Sequence, residues 1–250
     1  MFTKQEIKHT VFFDVETATE YSNFKELKKK SPKLAKLWSK RCEWLRDSYE
    51  DNKDKTDEEL YEYKGALHPE FNKVLCVSFG RVEIDEKGKI NNTIKTYKGD
   101  DEKEVLEKTL KVFEKFISSG FKFAGHNIKG FDIPVLLKRS IINGLALPKC
   151  LHLHHLKPWD FPFLDTGEVW SFGSWKNGIV SLDLLSTTLG IPTPKEDMDG
   201  SMVSDAYWKE GKLDEIAEYC ERDVIATANV VLRLGNFSLI KNKNKVKITA

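Results

Sequence analysis

The first apolar run of the chain is TVFFDVE, residues 10–16, and two acids interrupt it. The other residues of the run are β-branched or aromatic on both faces, which is typical of a strand that is covered on both sides. Since successive side chains of a strand point to opposite faces, Phe12, Asp14 and Glu16 share one face. The pattern therefore predicts a central, buried strand that carries two carboxylates side by side.

Two segments of different character follow this strand. The first is charged and helix-prone, with Pro32 at a point where a helix starts or is split, so we expect a helical insertion at about 24–64. Residues 73–83 and 89–97 then form two strand-like runs on either side of the turn-forming sequence DEKG. These two runs predict an antiparallel hairpin.

The rest of the chain alternates helical and strand patterns. Residues 102–117 have apolar side chains at helical period, residues 121–126 read as a short strand, and residues 131–145 as a helix with Pro134 in its first turn. A short helix near SLDLLSTTLG and a long helix over about 213–234 complete the pattern. This order of elements predicts a mixed α/β layer fold.

Length and composition add few constraints. At 250 residues the chain can form one domain, which we place at 1–240, followed by a basic tail at 241–250. The formal net charge of +1 neither favours nor excludes a polyanionic partner. The four cysteines are far apart and predict reduced thiols, and no secretory signal or apolar run near about 18 residues is present. We expect a soluble cytoplasmic protein without a membrane partner.

Buried carboxylates are costly unless they are paired or bound to a metal, and three segments carry them. Asp14 and Glu16 stand on the first strand, although such acids can also mark a frayed strand end. Asp132 follows a strand and opens a helix, where an aspartate is usually an N-cap and where a phosphate is also favoured. The residue patterns of these two segments leave both alternatives open.

The third segment is the last helix, in which Tyr219 and Asp223 are four residues apart and lie on one face. Asp223 belongs to a stripe that the three- and four-residue steps predict to be buried. A salt bridge would be the ordinary compensation, but no basic residue nearby in sequence would reach Asp223. The stripe consists of Ile216, Cys220, Asp223, Thr227 and Val231.

A single pair of divalent cations would compensate all four acids, Asp14, Glu16, Asp132 and Asp223. The candidate ligands are hard oxygen atoms, and no histidine-rich set accompanies them. Such ligands favour Mg²⁺ or Mn²⁺ over Zn²⁺. The sequence therefore predicts a site for two magnesium or manganese ions.

Three sequence motifs resemble, in order and spacing, those of DEDD-type 3′-5′ exonucleases. The motifs are DVET with Asp14 and Glu16, N-x-x-x-F-D with Asn127, Phe131 and Asp132, and Y-x-x-x-D with Tyr219 and Asp223. Tyrosine in the third motif resembles the tyrosine branch, which includes the proofreading domain of family B DNA polymerases. Stretches such as ALHPEF, LKPWD and WSFG are similar to stand-alone predicted exonucleases related to that domain. The resemblance covers about residues 8–235.

The resemblance implies a ribonuclease H-like mixed sheet flanked by helices, with the first strand at its centre, the antiparallel hairpin on one side and a parallel strand on the other. It also implies that Asp14, Glu16, Asp132 and Asp223 hold the two ions around one cleft, and that Tyr219 takes part in catalysis. The predicted insertion is longer than the corresponding link in a polymerase's proofreading domain.

By the same resemblance, Thr17, Asn127 and Phe131 would contact the substrate. The implied activity is hydrolysis at the 3′ end of single-stranded DNA in replication or repair, with replication or repair proteins as partners. The catalytic residues do not distinguish deoxyribose from ribose, so an exoribonuclease is an alternative. A nucleic-acid-binding module that has lost catalysis is a second alternative outside the enzymes.

Two stretches allow more than one interpretation of their charged or histidine side chains. Cys150, His152, His154 and His155 are close in sequence, but zinc sites usually use two separated ligand pairs and no second pair is visible. We expect these side chains to be partly exposed polar residues near the rim of the cleft. Residues 25–46 carry nine basic residues against two acids, which is typical of a solvated amphipathic helix or of a phosphate-binding surface.

A third stretch, residues 159–175, is rich in tryptophan and phenylalanine. Its aromatic rings could stack on unpaired bases or could be buried beneath a loop. The sequence favours burial.

Overall fold

The computed structural model describes residues 1–174, 178–192 and 198–240. The strands are β1 Thr10–Thr19, β2 Asn72–Ile84, β3 Ile90–Lys98, β4 Lys122–Gly125 and β5 Phe163–Asp165. They form one mixed sheet with the order β3-β2-β1-β4-β5.

β1 is the central strand of this sheet because it pairs with β2 in antiparallel and with β4 in parallel orientation. β2 and β3 form the predicted antiparallel hairpin, and β5 extends the sheet in parallel beside β4. The predicted mixed α/β sheet is thereby confirmed. Strand β5 was not predicted, because three residues are too few to show a strand period.

β1 is longer than predicted and continues to Thr19. Asp14 and Glu16 therefore lie inside a paired strand, opposite Ser78 and Cys76 of β2. The alternative that these acids mark a frayed strand end is wrong.

Ten α-helices occur in the described residues. They are α1 Lys4–Lys8, α2 Phe24–Lys30, α3 Pro32–Ser48, α4 Asp57–Lys64, α5 Glu102–Ser118, α6 Asp132–Ile142, α7 Thr166–Ser171, α8 Leu182–Thr188, α9 Val203–Trp208 and α10 Leu213–Leu234. The predicted helices correspond to α5, α6, α8 and α10. Helices α1, α7 and α9 were not predicted, since five or six residues do not show a helical period.

The helices cover both faces of the sheet. On one face, Phe13 and Phe79 meet Phe113 of α5, with ring centroids 5.3 and 5.8 Å apart. On the other face, α10 packs against β1 and β2. A Cβ at Gly80 would lie 2.6 Å from Cγ1 of Val224, so glycine allows α10 to approach β2 closely.

Helices α2, α3 and α4 form the segment in which a helical insertion was predicted. Pro32 is the first residue of α3, where its missing N–H costs nothing. The segment packs around buried Trp38, whose ring centroid lies 4.8 Å from that of Phe71. The assignment of residues 1–240 to one domain stays a prediction, and the tail 241–250 lies outside the described residues.

The four cysteines are free thiols, in agreement with the prediction. Within the described part of the chain, no helix combines the length and the apolar character that a membrane span needs.

Buried Arg139 connects α6 to the elements around it. Its guanidinium donates to the Glu102 carboxylate at 2.8 and 2.6 Å, to Glu20 at 2.7 Å and to the Pro69 carbonyl at 3.1 Å. Glu102 also accepts from the backbone N–H of Val74 at 2.7 Å. These bonds join α6 to α5, to the residue after β1 and to β2, and so fix the helix that begins at Asp132.

The first prediction concerns this ion-pair network. Arg139→Met should lower the free energy of unfolding by about 3–5 kcal/mol, because it leaves the buried Glu102 carboxylate without its cation. Lys111→Met on exposed α5 surface should change it by no more than about 0.5 kcal/mol. Urea unfolding of both variants measures the difference, and equal stabilities would contradict the structural role of Arg139.

Candidate active site

Helix α10 covers the sheet face that carries Asp14 and Glu16 and brings Asp223 against them. One carboxylate oxygen from each of these three side chains lies within 4.8 Å of the other two. We call these three residues the carboxylate cluster. It joins the first strand of the sheet to the last helix of the described chain.

Features of β1 and α10 determine the position of the cluster. The register between β1 and β2 shifts between Glu16 and Thr17, and such bulges re-aim side chains beside active sites. Sγ of Cys220 donates to the Asp14 carbonyl at 3.3 Å and so fixes α10 against β1. The predicted stripe of α10 is buried throughout, at Ile216, Cys220, Asp223, Thr227 and Val231.

Burial and mutual repulsion raise the pKa values in the cluster. The pKa of Asp14 lies well above its usual value because the carboxyl group is buried and because Cys220, Asp223 and Asp132 are close. The pKa of Glu16 is raised by burial first and then by Asp14 and Asp223. Oδ2 of Asp14 is buried without a hydrogen-bond partner among the described residues. Without a bound cation, the carboxyl groups of Asp14 and Glu16 therefore tend to stay protonated.

The cluster fits a hard divalent cation. None of the ion pairs between described residues includes Asp14, Glu16 or Asp132. The available donors are carboxylate oxygens, which Mg²⁺ and Mn²⁺ prefer, and a bound cation would satisfy the buried Oδ2 of Asp14. Asp14, Glu16 and Asp223 are the residues that can hold such an ion.

Asp132 lies beside the carboxylate cluster rather than within it. It is the first residue of α6 and is buried, while the N-cap position belongs to Phe131, whose side chain makes no capping bond. The alternative that Asp132 is an ordinary N-cap is therefore wrong. Burial, with contributions from Asp165 and Asp223, raises the pKa of Asp132 to about 8. Asp132 in turn contributes to the raised pKa of Asp14, so these acids influence one another.

Tyr219 lies one helical turn before Asp223 and is buried on the same side of α10. Burial first, and then the neighbouring Asp223, Glu16 and Asp14 carboxylates, raise the pKa of the phenol. The hydroxyl therefore stays protonated at neutral pH and can act as a hydrogen-bond donor, but not as a base.

The three predicted substrate contacts lie in different surroundings. Thr17 is buried and its hydroxyl donates to the Ala66 carbonyl at 2.9 Å. Asn127 is exposed with a φ of 58°, a left-handed conformation that asparagine tolerates. Phe131 is half-buried and directly precedes Asp132. Phe131 is thus the chain neighbour of a candidate ligand, whereas the Thr17 side chain is bonded to the segment after α4.

Asp165, the last residue of β5, is a buried acid that was not predicted from the sequence. Its Oδ1 accepts from the backbone N–H groups of Asn127 at 2.9 Å and Gly167 at 3.0 Å, and its Oδ2 from that of Lys129 at 3.1 Å. Asp165 therefore holds the loop that leads into α6. The only sequence signal is an acid just before a helix, which is a common capping pattern.

The histidine side chains of the stretch 150–155 lie at the surface. His152, His154 and His155 are exposed, as predicted. Apart from the carboxylate cluster, the described ranges contain no group of three or more side chains placed to hold a metal ion.

The aromatic side chains of residues 159–175 are neither all buried nor all exposed. Phe163 is buried, whereas 76% of the Trp159 surface and 70% of the Phe172 surface are exposed. Trp175 lies outside the described residues.

The second prediction concerns pH. The pKa values of Asp14 and Glu16 are raised in the folded chain, and that of Asp132 is raised to about 8. Protonation of these acids stabilises the folded state in full below their unfolded pKa values of about 4. This stabilisation is lost as the pH rises through the pKa values of the folded chain. In EDTA, the wild type should therefore lose more stability between about pH 5 and pH 8 than Asp14→Asn, which has one ionising group fewer. Urea unfolding across this range measures the two slopes.

Exposed Asp47 provides the matched control, because Asp47→Asn should follow the wild-type curve. Added MgCl₂ should stabilise the wild type at the upper pH and leave Asp14→Asn almost unchanged, since a ligand stabilises only the state that binds it. Parallel curves for the wild type and Asp14→Asn would contradict the repulsion inferred for the cluster.

Comparison with known proteins identifies the relatives of this chain. A family described as predicted 3′-5′ exonuclease related to the exonuclease domain of PolB matches residues 66–246, which lie after Asp14 and Glu16 and include the other two motifs. The fold is similar to that of the family B DNA polymerase from the hyperthermophilic archaeon Pyrobaculum calidifontis, with a TM-score of 0.50 and 16% identity over 91% of this chain and 24% of the polymerase chain. No curated protein matches the chain in sequence. Because the family match spans more than two thirds of its residues, the chain belongs to the family of predicted 3′-5′ exonucleases related to the exonuclease domain of PolB.

Proposed function

We propose that the protein is a metal-dependent 3′-5′ exonuclease of the tyrosine branch of the DEDD group, which hydrolyses the terminal phosphodiester of single-stranded DNA. The observation that carries this proposal is the convergence of Asp14, Glu16 and Asp223 within 4.8 Å. Membership of a family of predicted 3′-5′ exonucleases supports it. The buried positions of Asp132 and Tyr219 add two more groups of the kind that this chemistry uses.

Two Mg²⁺ or Mn²⁺ ions are part of the proposal. Asp14, Glu16 and Asp223 would hold one ion. Asp14 would also hold the other ion, whose water shell Asp132 would orient. When bound, the ions supply a lower pKa for the attacking water and positive charge for the leaving 3′ oxygen. The protein's own contribution is to keep four mutually repelling acids together before the ions arrive.

The remaining motif residues would act on the water and on the terminal nucleotide. Tyr219 would orient the attacking water by donating a hydrogen bond, because its raised pKa keeps the phenol protonated. Phe131 and Asn127 would flank the terminal nucleotide beside Asp132. Thr17 would act by fixing β1, since its hydroxyl is bonded to the Ala66 carbonyl.

The proposed setting is cytoplasmic DNA replication or repair, including proofreading, with replication or repair proteins as partners. Residues 1–240 would form the single exonuclease domain, and the helices at about 24–64 would be an insertion in it. The catalytic groups do not select the sugar, so RNA belongs in the test beside DNA.

The third prediction tests the activity and its direction. Oligonucleotides of DNA and RNA that carry a 5′ label should be shortened from the 3′ end in Mg²⁺ or Mn²⁺, with DNA preferred. Asp14→Ala should lower the rate by more than about 100-fold, the upper range for loss of a group that merely supports a metal ligand. Asp47→Asn is the matched control and should keep wild-type activity. A wild type that cuts neither polymer, or an active Asp14→Ala, would refute the proposal.

The fourth prediction concerns Tyr219. Tyr219→Phe should reduce kcat by about 10-fold, because one hydrogen bond to the water is lost, and should leave the metal affinity unchanged. Single-turnover rates and calorimetric metal titration measure the two quantities separately. Equal turnover in the variant and the wild type would remove the role given to the hydroxyl.

A further inference from the structure

Helix α3 has a buried face and, next to it, an exposed face. Leu34, Leu37, Arg41 and Trp44 recur at three- and four-residue steps and so form one stripe. Of this stripe, 49% of the Leu37 surface and 47% of the Trp44 surface are exposed. The adjacent stripe is buried in the core of the segment and consists of Ala35, Trp38, Cys42 and Leu45.

The exposed stripe forms part of a groove. Leu34, Leu37 and Arg41 line a groove of about 540 Å³ together with segment 67–71 and with the first part of α6 and the turn before it. Sites for small organic ligands measure roughly 300–1,000 Å³, so the groove has room for a nucleobase with its sugar. Trp44 lies one turn farther along α3 and extends the same stripe.

The groove reaches the start of α6, the helix that carries Asp132. Phe131 lines it and directly precedes Asp132, the acid beside the carboxylate cluster. Between Leu34 and Trp44 the stripe runs about 15 Å along α3, at about 1.5 Å per residue. Stacked nucleotides of one strand are about 3.4 Å apart, so this length corresponds to about four of them.

The charges of the groove suit a polyanion. Arg41 and Lys138 are basic, and Glu70 is the acid among the lining residues, 3.7 Å from Nζ of Lys138. Burial, and then Arg41, lower the pKa of His68, which is therefore neutral. The lining thus has an excess of positive charge between apolar surfaces, which matches a strand of bases and phosphates.

We propose that the groove and the adjoining Trp44 hold the unpaired nucleotides upstream of the 3′-terminal one, so that the segment containing α3 forms part of the substrate site. This inference rests on the proposed function. The Arg41 guanidinium lies over the Trp44 ring, 4.5 Å from its centroid, so the two side chains form a stacked pair that an unpaired base can extend. Arg41 and Lys138 contact the phosphates on either side of the groove.

The site selects unpaired strands. The apolar walls of the groove contact an unpaired base in the way that neighbouring bases do in a duplex. A base that is already paired cannot enter a groove between a helix and a loop. Affinity should therefore rise with strand length and level off after about four to six nucleotides, when the stripe is filled.

The test uses two substrates of different length. The p-nitrophenyl ester of thymidine 5′-monophosphate occupies only the terminal-nucleotide site, whereas a 12-residue oligothymidylate reaches the groove. In the double variant Arg41→Glu/Trp44→Ala, KM for the oligonucleotide should rise by about 10-fold or more, while hydrolysis of the ester stays unchanged and shows that the fold is intact. Lys36→Glu, an exposed change on the same helix outside the groove, should leave both substrates unaffected.

A second readout separates this inference from the proposed function. Fluorescence anisotropy of the labelled oligonucleotide in EDTA measures binding without catalysis, and the double variant should bind about 10-fold more weakly than Lys36→Glu. If the wild type cuts neither substrate, the proposed function fails, and the anisotropy still decides whether the groove binds a strand. Equal binding by the two variants would overturn the inference. A second result would also overturn it: the wild type sediments as a dimer, and the double variant sediments as a monomer that still binds the strand. The groove would then bind a second copy of the chain.

Discussion

Repulsion between the acids that the fold brings together is the constraint that the rest of the structure must offset. Asp14 and Glu16 stand on one face of the central strand, and α10 closes over that face with Asp223 pointing inward. The packing of α10 and of the sheet must outweigh the cost of burying these groups, which is visible in their raised pKa values. A cation removes that cost, so the same arrangement that is unfavourable alone becomes a binding site.

The other buried acids of the chain show how this cluster differs. Glu102 is buried but receives the Arg139 guanidinium and the N–H of Val74. Asp165 is buried but receives three backbone N–H groups. Oδ2 of Asp14 receives no donor from the described residues. Compensated acids hold the framework, and the uncompensated one marks the place where a ligand is needed.

The segment after β1 adds a surface that the sheet lacks. Its buried stripe on α3 anchors it on the core through Trp38 and Phe71. Its exposed stripe leads along a groove to Phe131, at the start of α6. The interpretation of this basic segment as a docked amphipathic helix is confirmed for the buried face. The interpretation as a phosphate-binding surface stays a prediction for the neighbouring face, which carries Arg41 beside apolar side chains. The groove can thus extend a site that the sheet and α10 build.

The sequence by itself determined the elements with long, regular periods and the order of the three motifs. The helical period of α10 identified its buried side, on which Asp223 lies. Alternation along β1 identified the face that Asp14 and Glu16 share. Both patterns depend only on local backbone geometry. Local patterns did not reveal β5, the buried acid Asp165 or the register shift after Glu16, since short elements have no period and pairing partners are distant. Only the tertiary structure decided that Asp132 is not a cap and that Arg139 compensates Glu102, because which charges meet depends on how separate segments pack.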